Sequence, residues 1–383
     1  MKTVERHFKL TVCGVLLAPF ASIVQAAPLE LRSNASSLTL EAFANVTAGF
    51  TPDDSGNTRD GDVRIDGALR LLGRLELADG PEIGARAVLR TSPEDRLEIG
   101  EASVLIFGKS GRLEVGDRQG LPDVLVGYAP NNFTFTGAEF GPASGPSLDP
   151  GGGLQIAFLD RDLAAQLAPL TSLGFTASQA ADESGKALYV SPKRRGFLAG
   201  VSYAPNATDP RFGDLVQLGL THDTYWTDNV LHIGGSYSFA EGEHVPGGPP
   251  VRDLHSINVG ATLVLDYDLQ IGLSVTYDGA SGLTVAPGDP APSDAVGAVM
   301  SINYNRGPWT VGAFAQWAQA EGEGAVAGND ELRAAEAGVS YRTSTHIRIY
   351  GAHYYYDFDD EGAQSPNSNF DGGVFVVGVR ASL

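Results

Sequence analysis

From Asp62 to Ala78 the chain reads DVRIDGALRLLGRLELA, and its residues sort by parity. Val63, Ile65, Leu69, Leu71, Leu75 and Leu77 share one parity, while Arg64, Asp66, Arg70, Arg74 and Glu76 share the other. Successive residues of a strand point to opposite faces, so this segment is a ribbon with one apolar side and one charged side. The next run repeats the pattern, with Ile83, Ala85, Ala87 and Leu89 opposite Glu82, Arg86 and Arg90. One such strand also suits a half-buried soluble sheet. Repetition along the chain carries the distinction. Runs of this kind are read at 36–50, 62–79, 82–92, 95–108, 110–118, 186–193, 195–204, 213–226, 228–241, 251–266, 268–280, 292–305, 308–320, 330–343, 345–358 and 373–383. That makes about sixteen, an even number as a bacterial membrane barrel requires. Most are long enough to cross an apolar band when tilted, for which about 9–11 residues suffice.

The connections alternate too. Tight turns sit around Asp79-Gly80-Pro81, Gly108-Lys109-Ser110-Gly111, Pro192-Lys193-Arg194, Trp226-Thr227-Asp228, Asp266-Tyr267-Asp268, Gly307-Pro308 and Thr343-Ser344-Thr345. Between them lie longer connections rich in Gly, Pro and acids: Thr51 to Gly61, Pro205 to Phe212, Gly242 to Pro250, Ser281 to Ser293, Glu321 to Asp330 and Asp359 to Gly372. Short turns at one rim and long loops at the other are the outer-membrane pattern, and a soluble sandwich has no reason to sort its loops so. The connection near Ser92-Pro93-Glu94 is an exception, short where the rule wants it long. Tyr203, Phe239, Tyr277, Tyr304, Trp309, Trp317, Tyr341 and Tyr350 to Tyr356 lie near strand ends, where amphipathic rings favour the lipid–water interface. Ordinary β-propensity of aromatics is the competing explanation. The fold class expected is all-β, a transmembrane antiparallel barrel of about sixteen strands, whose closure leaves no strand edge in lipid.

The first residues fit that compartment. MKTVERHFKLTVCGVLLAPFASIVQA carries Lys2, Arg6 and Lys9, then an apolar run from Leu10 to Leu17, and ends Val24-Gln25-Ala26. These are the three regions of a secretory signal peptide, expected at 1–26 with cleavage after Ala26. The apolar run is too short for a membrane anchor, and Pro19 follows it. Cleavage removes Cys13, the one cysteine, so the remaining 27–383 has no thiol or disulfide chemistry. It also removes three of the 26 Lys+Arg and one of the 46 Asp+Glu, leaving 23 against 45, or −22. Such a charge excludes nucleic acid as a partner. Outer-membrane lipid, lipopolysaccharide, and small hydrophilic solutes and ions are the partners expected instead.

Two segments resemble a known family. In KALYVSPKRRGFLAGVSYAPN, from Lys186 to Asn206, the residues Tyr189, Ser191, Pro192, Gly196, Phe197, Gly200, Val201, Ser202, Tyr203, Ala204 and Pro205 match the hairpin that follows the constriction loop in Gram-negative general porins. Gly111 to Gly116 with Asp117-Arg118-Gln119-Gly120 looks like the end of that family's fifth strand. The resemblance implies a homotrimer of sixteen-stranded barrels, each with its own pore, and places the third long loop inside the lumen. That loop is 119–185, which breaks the rhythm of strands for over sixty residues. It is longer than the family's pattern, and Leu154 to Leu173 reads as an additional strand or helix within it. The family commonly ends in an aromatic residue, whereas this chain ends Arg380-Ala381-Ser382-Leu383.

A pore needs no covalent chemistry; its selectivity follows from width and lining charge. The charged parity of the early strands supplies Arg64, Arg70, Arg74, Arg86, Arg90, Arg112 and Arg118 as a basic wall. Neighbouring strands are about 4.8 Å apart, so arginines at similar heights form one patch. Facing it, the long loop offers Asp123, Glu139 and Asp149 first, then Asp160, Asp162, Asp182 and Glu183. Acids and bases across a narrow gap set up a transverse field that aligns water and disfavours apolar solutes. The plainer alternative pairs single arginines with Asp66, Glu76, Glu82 or Glu98 in a solvated wall. Overall charge favours cations and the arginine wall favours anions; the expectation taken is cation preference.

No cofactor is expected. Asp53-Asp54 and Asp359-Asp360-Glu361 offer carboxylates for Ca²⁺ but lack the spacing of a dedicated site. His222, His232 and His255 stand apart from any triad or zinc pattern, so no enzyme is expected. Gly151-Gly152-Gly153 lacks the strand–GxxxxGK–helix setting of a phosphate cradle. The function read from the sequence is passive diffusion of small hydrophilic solutes and ions across an outer membrane. A substrate-specific channel for anions, phosphate or sugars is the alternative, with Phe133, Phe135 and Phe140 keeping sugars open. A barrel without a channel, a rim enzyme and a secreted binding protein stand further off.

Overall fold

The computed structural model describes residues 29–33, 35–51, 61–77, 80–91, 97–125, 170, 173, 184–205, 211–243, 251–266, 268–281, 294–321, 329–360 and 370–382. Its strands are β1 (Leu29–Arg32), β2 (Ser36–Phe50), β3 (Asp62–Glu76), β4 (Glu82–Thr91), β5 (Leu97–Gly108), β6 (Gly111–Arg118), β7 (Ser184–Val190), β8 (Phe197–Ala204) and β9 (Phe212–Trp226). They continue as β10 (Asn229–Gly242), β11 (Leu254–Leu265), β12 (Leu269–Gly279), β13 (Ala295–Arg306), β14 (Trp309–Glu321), β15 (Asn329–Arg342), β16 (Ile347–Asp360) and β17 (Phe370–Ser382). One short helix, α1 (Leu121–Leu125), follows β6.

Each of β2–β17 pairs antiparallel with its sequence neighbour, and β17 returns to β2 through Phe375↔Phe50 to Ser382↔Phe43. That closes a barrel of sixteen strands within the 17-stranded sheet. Each barrel strand matches a run read from the alternation to within three residues at either end, as for 62–79 against Asp62–Glu76 and 373–383 against Phe370–Ser382. One strand was not foreseen. β1 pairs with β2 from Leu29↔Leu40 to Arg32↔Ser37, taking over beyond Phe43, where β17 ends. Four residues are too few to show a period. The closing strand runs to Ser382 and pairs with β2.

The faces are inverted relative to a soluble protein. Ile65 is 56% exposed and Ile99 70%, whereas Thr47, Glu101, Gln217 and Ser238 are wholly buried. Outward residues meet lipid, which satisfies apolar surface, and inward residues line the lumen. The aromatic girdle lies on this outer face. Tyr304, Trp309 and Tyr341 stand near the short turns; Tyr203, Tyr277, Trp317 and Tyr355 stand near the long loops. Three of the latter tie their polar tips to neighbouring acids: Tyr203 to Asp214 at 2.8 Å, Tyr277 to Asp294 at 2.7 Å and Trp317 to Glu331 at 2.9 Å. Tyr350, Tyr354 and Tyr356 do not belong to the girdle. They are buried on the inner face, because the period of two separates them from Tyr355.

The KRRG turn shows why one of the matching glycines is needed. Gly196 has φ of 87°, and a Cβ there would lie 2.4 Å from the Asp223 carbonyl oxygen. Only glycine takes that conformation without strain.

Candidate functional site

The inner wall is built from three sectors, each set by one parity of its strands. On β2–β7 it is charged. Register places Glu41 opposite Arg70, Arg70 opposite Val88, and Val88 opposite Glu101, so these four residues form a row across β2–β5. One step lower, Arg86 faces Ser103, Ser103 faces Gly116 and Gly116 faces Lys186. Arg118 reaches the first row from β6, with its Nη1 2.8 Å from both oxygens of Glu101. Arg86 Nε lies 3.3 Å from the same carboxylate. A second bridging acid, Glu114, lies 3.1 Å from Arg118 Nε and 3.8 Å from Arg112 Nε, and accepts a 2.6 Å bond from Ser103 Oγ. Arg70 pairs with Glu41.

Glu101, Glu114, Arg118, Lys186, Arg70 and Arg86 are all buried. Burying ions costs more than their attraction returns unless the geometry is good, so such a network contributes fixed geometry more than stability. Five cations (Arg70, Arg86, Arg112, Arg118, Lys186) less three acids (Glu41, Glu101, Glu114) leave this group at +2. The wall is therefore a positive lattice held rigid by interleaved carboxylates.

Four of the seven expected arginines, Arg70, Arg86, Arg112 and Arg118, come together here. Arg74 does not. It sits at the short-turn end of β3, 3.4 Å from Glu82 and 4.9 Å over the Phe107 ring. Arg64 and Arg90 lie toward the long-loop rim, opposite Thr47 and Ala68. The bridging acids were missed by sequence reasoning. β5 carries a bulge at Gly100: Leu89 pairs with Ile99 but Val88 with Glu101. The bulge switches parity and turns Glu101 inward. Its visible signal is the break in alternation between Ile99 and Ala102. A Cβ on Gly100 would meet the Arg90 side chain at 3.1 Å, so the bulge glycine also makes room for that arginine.

On β8–β12 the inner wall carries mostly uncharged polar groups, with Asp223 and Asp278 as its acids. Ser202 Oγ donates to Gln217 Oε1 at 2.8 Å, Gln217 Nε2 to Ser238 Oγ at 3.2 Å, and Asn258 Nδ2 to Thr276 Oγ1 at 2.7 Å. On β13–β17 aromatic residues are prominent, with Phe314, Tyr350, Tyr354, Tyr356 and Phe358 in one buried cluster, beside the buried polar groups Asn303, Gln316, Glu336 and Arg380.

The long stretch after β6 is seated on two of these sectors. The backbone N–H of Leu121 in α1 donates to Gln217 Oε1 at 2.9 Å, and Leu121, Val124 and Leu125 pack on Leu188, Val190 and Leu198. Gly200 makes the approach possible, since a Cβ there would lie 2.7 Å from Leu121 Cδ1. Leu170 and Leu173 lie in the aromatic cluster, and Gln316 Nε2 donates to their carbonyls at 3.0 and 2.7 Å. A Cβ at Gly297 would come 2.6 Å from the Leu173 backbone carbon. The described residues of this stretch are thus inside the barrel, on walls formed by different strands. Asp123 falls in α1, but its side chain lies outside the described residues, as do Glu139, Asp149, Asp160, Asp162, Asp182, Glu183, the three phenylalanines and the rest of 154–173.

At the short-turn rim Lys193 pairs with Asp223, whose other oxygen lies 2.7 Å from His232 Nδ1. The hydrogen bond to Asp223 holds the Lys193 ammonium above the ordinary lysine range. His222 stacks on Phe197 at 4.1 Å, and His255 lies 2.8 Å from the Tyr237 hydroxyl. Among the described residues no group of three or more His, Cys, Asp or Glu is placed to hold a metal ion.

A family model described as Gram-negative porin matches residues 13–361. Among solved structures, OmpF of Salmonella typhi in complex with daunomycin superposes with a TM-score of 0.65 at 10% identity, covering 93% of this chain and 100% of that one. The anion-selective porin of Comamonas acidovorans gives 0.61 at 14% identity, covering 91% and 100%. The trimer form of OmpT, an outer membrane protein of Vibrio cholerae, gives the same 0.61, 14%, 91% and 100%. No curated sequence matches the chain.

Proposed function

The chain belongs to the Gram-negative porin family and is an outer-membrane channel for passive diffusion of small hydrophilic solutes and ions, and we propose that its selectivity is set where the charged wall of β3–β7 faces the long stretch 119–185. The single observation that carries this reading is the buried Arg86–Glu101–Arg118 bridge, which fixes two guanidinium groups on the lumen wall. Guanidinium stays charged throughout the physiological range, so the field it contributes is permanent. Loop acids Asp123, Glu139 and Asp149 supply the opposite pole. Across a low-dielectric lumen such a field orders water, and an apolar solute must disrupt that order to pass. The long connections are rich in acids, which draw cations to the outer mouth and favour cation selectivity overall. Arg70→Ala combined with Arg86→Ala tests the wall. Liposome swelling should show faster entry of apolar solutes relative to zwitterions of equal size, and unchanged relative rates would remove the wall from the mechanism.

The aromatic buried cluster favours a general channel over a sugar-specific one. Among the described residues its rings are buried in one cluster with Leu170 and Leu173. The chain is read as a channel without enzymatic activity, exported by a signal peptide cut near Ala26. It is read as a homotrimer because the outer girdle is interrupted. Outward residues on β2–β6 are mostly aliphatic or small, such as Ala42, Ala44, Leu69, Ala85, Ala87 and Val104, with Phe50 at the rim and no Tyr or Trp among the described residues, while Tyr and Trp occupy β7–β16. A face that lacks interfacial anchors suits packing between protomers better than lipid. Carboxylates of the long loops are the candidate contacts for Ca²⁺ and, through it, for lipopolysaccharide.

A further inference from the structure

A second basic feature lies apart from the β3–β7 wall. On β15, β16 and β17, Arg342 pairs in register with Arg348, and Arg348 with Arg380. Register partners share a face and stand with Cβ atoms about 4.5–5.5 Å apart. Arg380 is buried on the inner side, its guanidinium 4.1 Å over the Phe43 ring, so the row faces the lumen. Arg342 ends β15 and Arg348 is second in β16, which puts the row beside a short turn and hence at the periplasmic mouth. Arg342 is exposed and Arg348 half-buried.

Like charges directly opposite destabilise a sheet, and here two such juxtapositions follow one another. The floor beside the row is a polar network whose members hydrogen-bond to one another. Arg380 pairs with Asn45, whose Nδ2 donates to Thr47 Oγ1 at 3.1 Å, and the Tyr350 hydroxyl donates to Asn45 Oδ1 at 2.8 Å. Planar guanidinium forks recognise oxyanions in a bidentate manner, and a multiply charged one can engage neighbouring forks at once where chloride cannot. We propose that Arg342, Arg348 and Arg380 form an anion subsite at the periplasmic mouth that takes a multiply charged oxyanion of phosphate type. This rests on the channel reading, and occupation of the site cancels positive charge where solutes leave the pore.

Planar-bilayer recording in a fixed KCl gradient, with and without low millimolar inorganic phosphate, tests it on wild-type protein and on Arg342→Gln/Arg348→Gln. In wild type, phosphate should raise the cation-to-anion permeability ratio about twofold by neutralising the row. The double variant should conduct KCl, start from a higher ratio, and not respond. Phosphate should also raise the melting temperature of wild-type protein in detergent and leave the variant unmoved. If Arg348→Gln impairs assembly, Arg342→Gln alone, at the exposed end of the row, should weaken both responses. A wild-type channel that carries KCl current but ignores phosphate overturns the subsite and leaves the channel standing, as does an equal response in wild type and variant. A protein with no KCl current overturns both.

Discussion

Glu101 is wholly buried between Arg86 and Arg118. Removing its charge takes from Arg86 and Arg118 the carboxylate they share, while Glu114 still pairs with Arg118; a fully broken buried pair costs about 3–5 kcal/mol, which is the upper end here. Glu101→Gln is therefore expected to lower stability on that scale in reversible urea unfolding, and to move the reversal potential toward anions. Arg74, with 43% of its side chain exposed, serves as the contrast. Losing an exposed pair changes stability by about 0–1 kcal/mol. At this scale the sequence shows only half of the site. Parity alone identifies Arg70, Arg86, Arg112 and Arg118 as inward. Glu114 shares the parity of Arg112 and Arg118, and could have been found by asking which acids lie among the arginines. Glu101 could not be found by strict alternation, because the bulge at Gly100 moves it to the other face.

Among the elements, the strands are legible and the long stretch is not. A period of two with an apolar parity is a local property that each strand displays by itself, so sixteen barrel strands are placed nearly as the residues suggest. The short β1 shows no period, and its place is set only by the edge of β2 that β17 leaves unpaired beyond Phe43. Where 119–185 docks depends on contacts remote in sequence, such as Leu121 with Gln217 and Leu170 with Gln316. No periodicity announces them; the glycines at 200 and 297 are the nearest trace. The inward tyrosines of β16 show the same limit, since aromatic content near a strand end does not distinguish girdle from docking platform. Shortening the segment between the two anchors, within 126–169, should leave a heat-stable barrel on gels and raise single-channel conductance severalfold. Unchanged conductance would mean that this stretch does not set the pore width.

For the whole molecule, charge is distributed by rim. Acids prevail in the long connections, whereas at the short-turn side Lys193, Arg194, Arg195, Arg306, Arg342 and Arg348 stand among Asp223, Asp228, Asp266 and Asp268. A chain of formal charge −20 therefore carries acid-rich long connections, a positive wall within the barrel, and a short-turn rim where cations and acids alternate. Debye screening over about 8 Å at physiological salt confines each field to its own region, so local charge and not net charge governs a passing ion. Reconstitution into planar bilayers under a KCl gradient tests the central claim most directly. The structure and the trimer reading predict insertion in triplets of equal, ohmic conductance steps with a reversal potential on the cation side. Purified, folded protein that produces no conductance steps would contradict the channel itself.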